Sequence, residues 1–251
     1  MGKFDGILLC SDFDGTFAKN EVPIEANMKA IKYFKENGGM FTIASGRDHP
    51  FLENIFGEHK FGVPVICMNG AIIYDYDNKK VLSRRIMRGT TREKLMSIAS
   101  FVEGVSNINL ISVNDGLQKF MVSEGKIELP DDLPELYKFA VRISGAKPEG
   151  DRAKEVVARI MSENVVERSS SNYIEVLDPA STKSLSTLAL KKAVGAHTLV
   201  CVGDYENDIG MIRTADIGYA VDNAIDELKA VADRITVSCE EGAIAKIIEE
   251  L

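Results

Sequence analysis

Gly6-Ile7-Leu8-Leu9-Cys10-Ser11-Asp12-Phe13-Asp14-Gly15-Thr16 is the stretch on which the reading of the fold turns. Its first half is a short aliphatic run bounded by turn formers, which predicts a buried strand. Strand alternation sends Asp12 and Asp14 to one side, and Gly15 lets the chain leave the sheet sharply. Two carboxylates at the carboxyl end of a core strand are costly unless a positive group lies between them. In an open α/β sheet that edge is also where ligands bind. An Asp-Gly pair alone is a common turn, so the reading depends on the rest of the chain.

Outward from this strand the chain alternates. Pro23 predicts a helix start, with Ile24, Met28, Ile31 and Phe34 on one side and Gly38-Gly39 at its end. Met40 to Ala44 reads as a strand broken by Ser45-Gly46-Arg47, and Pro50 suits the first turn of another helix. Val63 to Cys67 and Ala71 to Tyr74 read as strands joined by a hairpin turn at Asn69-Gly70. This rhythm predicts a Rossmann-like parallel sheet wrapped by helices.

Past about residue 82 the pattern becomes consecutive strands with two amphipathic helices, an antiparallel α+β unit, in which Glu124 to Glu135 reads as a surface loop. From Lys183 the α/β pattern returns, with a strand at Thr198 to Val202 and the loop Gly203-Asp204-Tyr205-Glu206-Asn207-Asp208. The expected fold class is therefore α/β: a discontinuous core of residues 1–82 and 179–251, interrupted by an inserted α+β domain at 83–178.

Composition narrows the function. The 251 residues carry a net charge of −8, which argues against nucleic acid or an anionic membrane surface as a partner. No stretch approaches the roughly 18 apolar residues of a membrane span. The chain enters a strand almost at once, leaving no room for a signal peptide, and the four cysteines are scattered in apolar runs. Both features lead us to expect a cytoplasmic protein. The three histidines have no partner at metal-ligand spacing, so a zinc site is not expected.

Four loops supply the chemistry: Asp12 and Asp14; Ser45 and Gly46; Lys183; and Asp204 with Asn207 and Asp208. Clustered carboxylates without histidine or cysteine form a hard all-oxygen set suited to Mg²⁺. A lysine, a serine hydroxyl and backbone N–H groups at a loop-to-helix junction suit a phosphate dianion. Together they describe phosphoryl transfer, with a carboxylate nucleophile and a second carboxylate as acid and base. Arg47 and Asp48 read as capping or supporting groups.

In this order the motifs resemble those of the haloacid dehalogenase (HAD) superfamily, in its Cof-type sugar-phosphate phosphatase branch. The resemblance implies a C2-type cap made by the insert, which sets substrate preference. It implies Asp12 as nucleophile and Asp14 as acid and base, with Mg²⁺ on Asp12, the Asp14 carbonyl and Asp204. It further implies Ser45, Gly46, Lys183 and Asn207 as phosphate ligands, with Asp208 supporting the metal. Ser184 and Val221-Asp222 depart from the usual residues of that branch, leaving loop geometry open.

The expected activity is Mg²⁺-dependent hydrolysis of a small phosphorylated metabolite, a sugar phosphate first, through an aspartyl-phosphate. Phosphoglycolate is the alternative substrate, and a phosphomutase the alternative reaction. A signalling receiver would lack both Asp14 and the insert. A Schiff-base phosphonate hydrolase would need a lysine such as Lys119, Lys126, Lys138 or Lys147. Oligomeric state is not legible.

Overall fold

Five parallel strands form the central sheet, in the order Arg234–Ile235, Ile217–Ala220, Thr198–Gly203, Ile7–Ser11, Met40–Ile43. The computed structural model describes residues 2–144 and 147–251, without the side chains of Lys147 and Pro148. The chain divides into two compact units, Met1–Ser83 with Thr182–Leu251, and Arg84–Ser181.

In the first unit the central strands Ile7–Ser11 and Thr198–Gly203 are mainly aliphatic and largely buried, as parallel strands between helices must be. The next strand of this sheet along the chain, Met40–Ile43, lies on one side of Ile7–Ser11, and the later Thr198–Gly203 strand lies on the other. Strand order therefore reverses beside Ile7–Ser11, which opens a crevice at the carboxyl ends of these two strands.

The closing helix Ala243–Glu250 buries Ala243, Ile244, Ile247 and Ile248 on one face, at about 1.5–3 kcal/mol for each isoleucine. It has no side-chain cap of its own. Asn27, fully buried on the helix Glu25–Glu36, accepts from the Ile244 and Ala245 N–H groups at 3.1 Å instead. The four cysteines are free and buried.

One local expectation in this unit changes. Pro23 does not open a helix; Val22–Pro23 pairs with Ala18–Lys19 in a two-residue hairpin, and the helix begins at Glu25 after Ile24. Proline suits a strand that ends at the edge of a hairpin as well as it suits a first helical turn. Val65–Cys67 and Ile72–Asp75 do form a hairpin through Met68–Gly70.

The second unit is a six-stranded antiparallel sheet, ordered Lys126–Ile127, Gly116–Ser123, Val105–Ser112, Leu136–Ile143, Tyr173–Leu177, Val165–Ser170. Leu95 and Ile98 of helix Arg92–Phe101, with Val157 of helix Lys147–Ile160, pack on Ile108, Phe139 and Ile174. The segment read as a surface loop contributes a short strand, and Ile127 and Leu129 are buried in this core. Its prolines and acids hide two apolar anchors. Lys138 pairs with Glu175 at 2.8 Å, both largely buried, while Lys119 and Lys126 are exposed. The Lys147 side chain lies outside the described residues. No helix among the described residues is long and apolar enough to cross a membrane.

Candidate active site

Two neighbouring strands deliver the first carboxylates. Ser11 stands opposite Val202, and the Asp12 N–H continues the ladder by donating to the Val202 carbonyl at 3.0 Å. Asp12 and Asp204 are each the first residue beyond their strand, so both emerge where strand order reverses. Between Asp12 and Asp14, the buried Phe13 ring packs on Phe17 and Phe56 with centroids 6.2 and 5.9 Å away, which anchors the loop from below.

Gly15 then turns with φ +78°, and a Cβ at this position would collide with the Asp204 carboxylate. Only glycine serves both the turn and the close approach. Asn223 fastens the same turn: its Nδ2 donates to the Gly15 carbonyl and its Oδ1 accepts from the Cys239 N–H, both at 2.8 Å.

Lys183 is the first residue of the helix Lys183–Ala193, whose Thr182 cap accepts from the Leu185 N–H. Its buried ammonium donates to Asp12 Oδ1 at 2.5 Å and to Asp208 Oδ1 at 2.7 Å. The other Asp208 oxygen accepts from the backbone N–H groups of Asp204 and Tyr205 at 3.1 and 3.3 Å. Asp208 thereby fixes the loop that carries Asp204 and orients the lysine. A Cβ on Gly203 would collide with Asp208, so this packing too depends on a missing side chain.

Electrostatics follow from burial. Desolvation pushes the Asp12 carboxyl up to about 7 despite the Lys183 ammonium beside it, with Asp208 and Asp14 adding repulsion. Burial, then repulsion from Asp12 and Asp208, pushes Asp204 up to about 9. Burial alone would depress Lys183, but the Asp12 and Asp208 carboxylates hold its ammonium above the usual lysine range.

Ser45, two residues beyond the strand Met40–Ile43, is buried. Its Oγ accepts from the Arg47 N–H at 3.1 Å, which leaves the hydroxyl proton to donate, and its carbonyl accepts from the Asn69 N–H at 2.9 Å. Gly46 follows it in the same loop, and Asn207 is buried in the short turn Glu206–Asp208. The strand ends thus bring Asp12, Asp204, Asp208 and Lys183 into one cluster. The Asp14 carboxylate is held instead in a fork made by Arg47.

That fork is what residue patterns did not reveal. Asp48 does cap the helix His49–Phe56, accepting from the Phe51 N–H at 2.9 Å. Arg47 supports Asp14: its Nε and Nη2 donate to Asp14 Oδ2 and Oδ1 at 2.9 and 3.0 Å, and Nη2 also lies 2.9 Å from Glu21. Asn69 was missed as well. It is fully buried at φ +55°, and neither polar atom of its side chain has a partner.

Whether this set fits a metal can be judged from the charges. Asp12, Asp204 and Asp208 each offer an oxygen, all within 4.8 Å of one another. When ionised, these three carboxylates face the single ammonium of Lys183, leaving an excess that one divalent cation would balance. The donors are all oxygen, the set a hard ion such as Mg²⁺ takes. The residues fit.

The fold and this acidic crevice are those of a phosphoryl-transfer hydrolase of the α/β type. Residues 9–248 match the family model of haloacid dehalogenase-like hydrolases, and the chain belongs to that family, in its Cof-type branch. It is 26% identical to a Bacillus subtilis 5-amino-6-(5-phospho-D-ribitylamino)uracil phosphatase, YwtE, over 96% of each chain. It is 24% identical to phosphoglycolate phosphatase 2 of Saccharolobus solfataricus, over 98% of this chain and 92% of that one. Among solved structures, a haloacid dehalogenase-like hydrolase from Bacteroides thetaiotaomicron shares the fold with a TM-score of 0.72 and 22% identity, over 99% of both chains.

Proposed function

We propose that this chain, a phosphatase of the haloacid dehalogenase-like family, is a Mg²⁺-dependent phosphomonoesterase that works through an aspartyl-phosphate on Asp12. The observation that carries the reading is Lys183 lodged between Asp12 and Asp208 at the switch point of the sheet. A substrate phosphate would be held by the Lys183 ammonium, the Ser45 hydroxyl, the Gly46 N–H and the Asn207 amide. Asp208 orients Lys183 and the Asp204 loop.

In the first step an Asp12 oxygen attacks phosphorus while the bond to the departing oxygen breaks, and Asp14 gives that oxygen its proton. In the second, Asp14 takes a proton from water as the water oxygen attacks phosphorus, and the bond to Asp12 breaks. Free phosphate leaves, and both carboxyl groups return to their starting states. Asp12, Asp204 and the Asp14 carbonyl would hold Mg²⁺, which when bound neutralises charge on the phosphoryl oxygens.

The unit Arg84–Ser181 is, in this reading, the cap that selects the leaving group. A sugar or polyol phosphate is the favoured substrate class, supported by the phosphorylated ribityl compound in the name of the B. subtilis relative. Phosphoglycolate is the second reading, supported by the name of the S. solfataricus relative.

A screen of phosphorylated metabolites for phosphate release, with Mg²⁺ and with a chelator, tests the proposal. We expect Mg²⁺-dependent release from sugar or polyol phosphates, abolished by Asp12→Asn. Isomerisation of a hexose 1-phosphate with little free phosphate would identify a mutase instead, and full activity with chelator would remove the metal.

A further inference from the structure

The hairpin after the Asp14 loop carries a glutamate where its backbone favours glycine. Ala18–Lys19 and Val22–Pro23 pair antiparallel across Asn20 and Glu21, whose φ angles are +48° and +66°. A two-residue turn with both positions left-handed favours Asn-Gly. Asn20 suits it, whereas Glu21 places a long side chain in a region its type seldom adopts. Its contact in return is with Arg47, whose Nη2 lies 2.9 Å from Glu21 Oε1. Glu21 is exposed and Arg47 half-buried, and an ion pair so open to solvent adds little stability. Strain kept without a return in stability points to a functional constraint.

Arg47 shows where the constraint leads. Its Nε and Nη2 hold Asp14 Oδ2 and Oδ1, and its guanidinium lies 4.3 Å above the ring of Phe51, which meets the buried Phe13 edge-on. The guanidinium is held from three sides, and Nη2 is shared by Asp14 and Glu21. In this fork both oxygens of Asp14 are engaged. For Oδ1 to reach a departing oxygen it must leave Nη2, and it leaves more readily if Nη2 keeps another acceptor.

We propose that Glu21 is a positioning residue for proton transfer. It keeps Nη2 of Arg47 paired while Asp14 Oδ1 turns to the leaving group, with Nε still holding Oδ2. The inference rests on the reading of Asp14 as acid and base given above. In the fork Asp14 is a carboxylate; once Oδ1 has left Nη2 it takes a proton from solvent, and that proton passes to the departing oxygen as its bond to phosphorus breaks, while Glu21 and Arg47 keep their own protonation throughout.

The test compares Glu21→Gly, Glu21→Gln and Asp14→Asn with the parent protein in rapid-quench single turnovers with Mg²⁺. The probes are nitrophenyl, phenyl and benzyl phosphate, whose departing oxygens are progressively more basic. Both Glu21 variants should keep the nitrophenyl rate within about twofold and slow benzyl phosphate about tenfold, part of what a positioned acid contributes. Glu21→Gly should melt no lower than the parent, because glycine suits the turn. Equal slowing on all three esters, or none on benzyl phosphate, overturns the role of Glu21. Equal slowing by Asp14→Asn would instead overturn the reading of Asp14. Selective slowing by Asp14→Asn without it in the Glu21 variants would leave that reading standing and reject Glu21 alone.

Discussion

Lys183 Nζ lies 2.5 Å from Oδ1 of Asp12, a residue 171 positions earlier in the chain, and both groups are buried. This contact joins the two segments of the discontinuous unit at its chemical centre. Removing the cation from such a cluster leaves Asp12 and Asp208 facing each other unpaired. Lys183→Met should therefore cost about 3–5 kcal/mol of stability, measured by urea unfolding. Most of that loss should return when Mg²⁺ is added, since a bound divalent cation restores the missing charge. A variant as stable as the parent without metal would contradict the pairing.

Metal binding should be linked to pH. Asp12 and Asp204 titrate from 3.8 when unfolded to about 7 and about 9 when folded. Between about pH 4 and about pH 9 the folded, metal-free protein thus holds protons that the unfolded chain has released, so these groups lose stability as pH rises. Mg²⁺ displaces those protons. The rise in Tm on adding Mg²⁺ should accordingly be larger near pH 9 than near pH 6. An equal rise at both would show that these carboxylates do not hold the ion.

Gly15→Ala tests the packing of the two loops. The variant forces a side chain into φ +78° and against the Asp204 carboxylate. Displacing that carboxylate should lower kcat about a hundredfold while the circular dichroism spectrum stays native. Retention of full turnover would mean that Asp204 need not occupy this position.

In the second unit, Lys138 and Glu175 form a buried pair at 2.8 Å, and Ser169 Oγ donates to the other Glu175 oxygen at 3.0 Å. Either single change, Lys138→Met or Glu175→Leu, should destabilise by about 3–5 kcal/mol, whereas the double change should recover most of it. Urea unfolding of the three variants checks this.

Much of this was legible in the sequence because the loops of the candidate site are punctuated. Asp12, Ser45 and Asp204 each follow an apolar run, and Lys183 opens a helix after Thr182; local pattern suffices for such positions. What stayed hidden depends on contacts between distant loops. Arg47 reads as a capping or supporting group, but what it supports stays hidden, because its fork on Asp14 exists only where two strand ends adjoin. Glu21 gives no signal either, since Asn-Glu is not a hairpin sequence and the turn is imposed by its surroundings. Ile127 and Leu129 were concealed by the prolines and acids around them.

The central claim is that Asp12 carries the phosphoryl group, and one measurement addresses it directly. Asp14→Asn should still transfer phosphate from nitrophenyl phosphate, a leaving group that needs little protonation, but should not hydrolyse the intermediate. Acid-quenched samples of this variant, digested and analysed by mass spectrometry after a single turnover with Mg²⁺, should contain one phosphoryl group on the peptide spanning Asp12, absent in Asp12→Asn. A phosphoryl group on another residue, such as Ser11 or Ser45, or turnover without any phosphorylated peptide, would contradict the account.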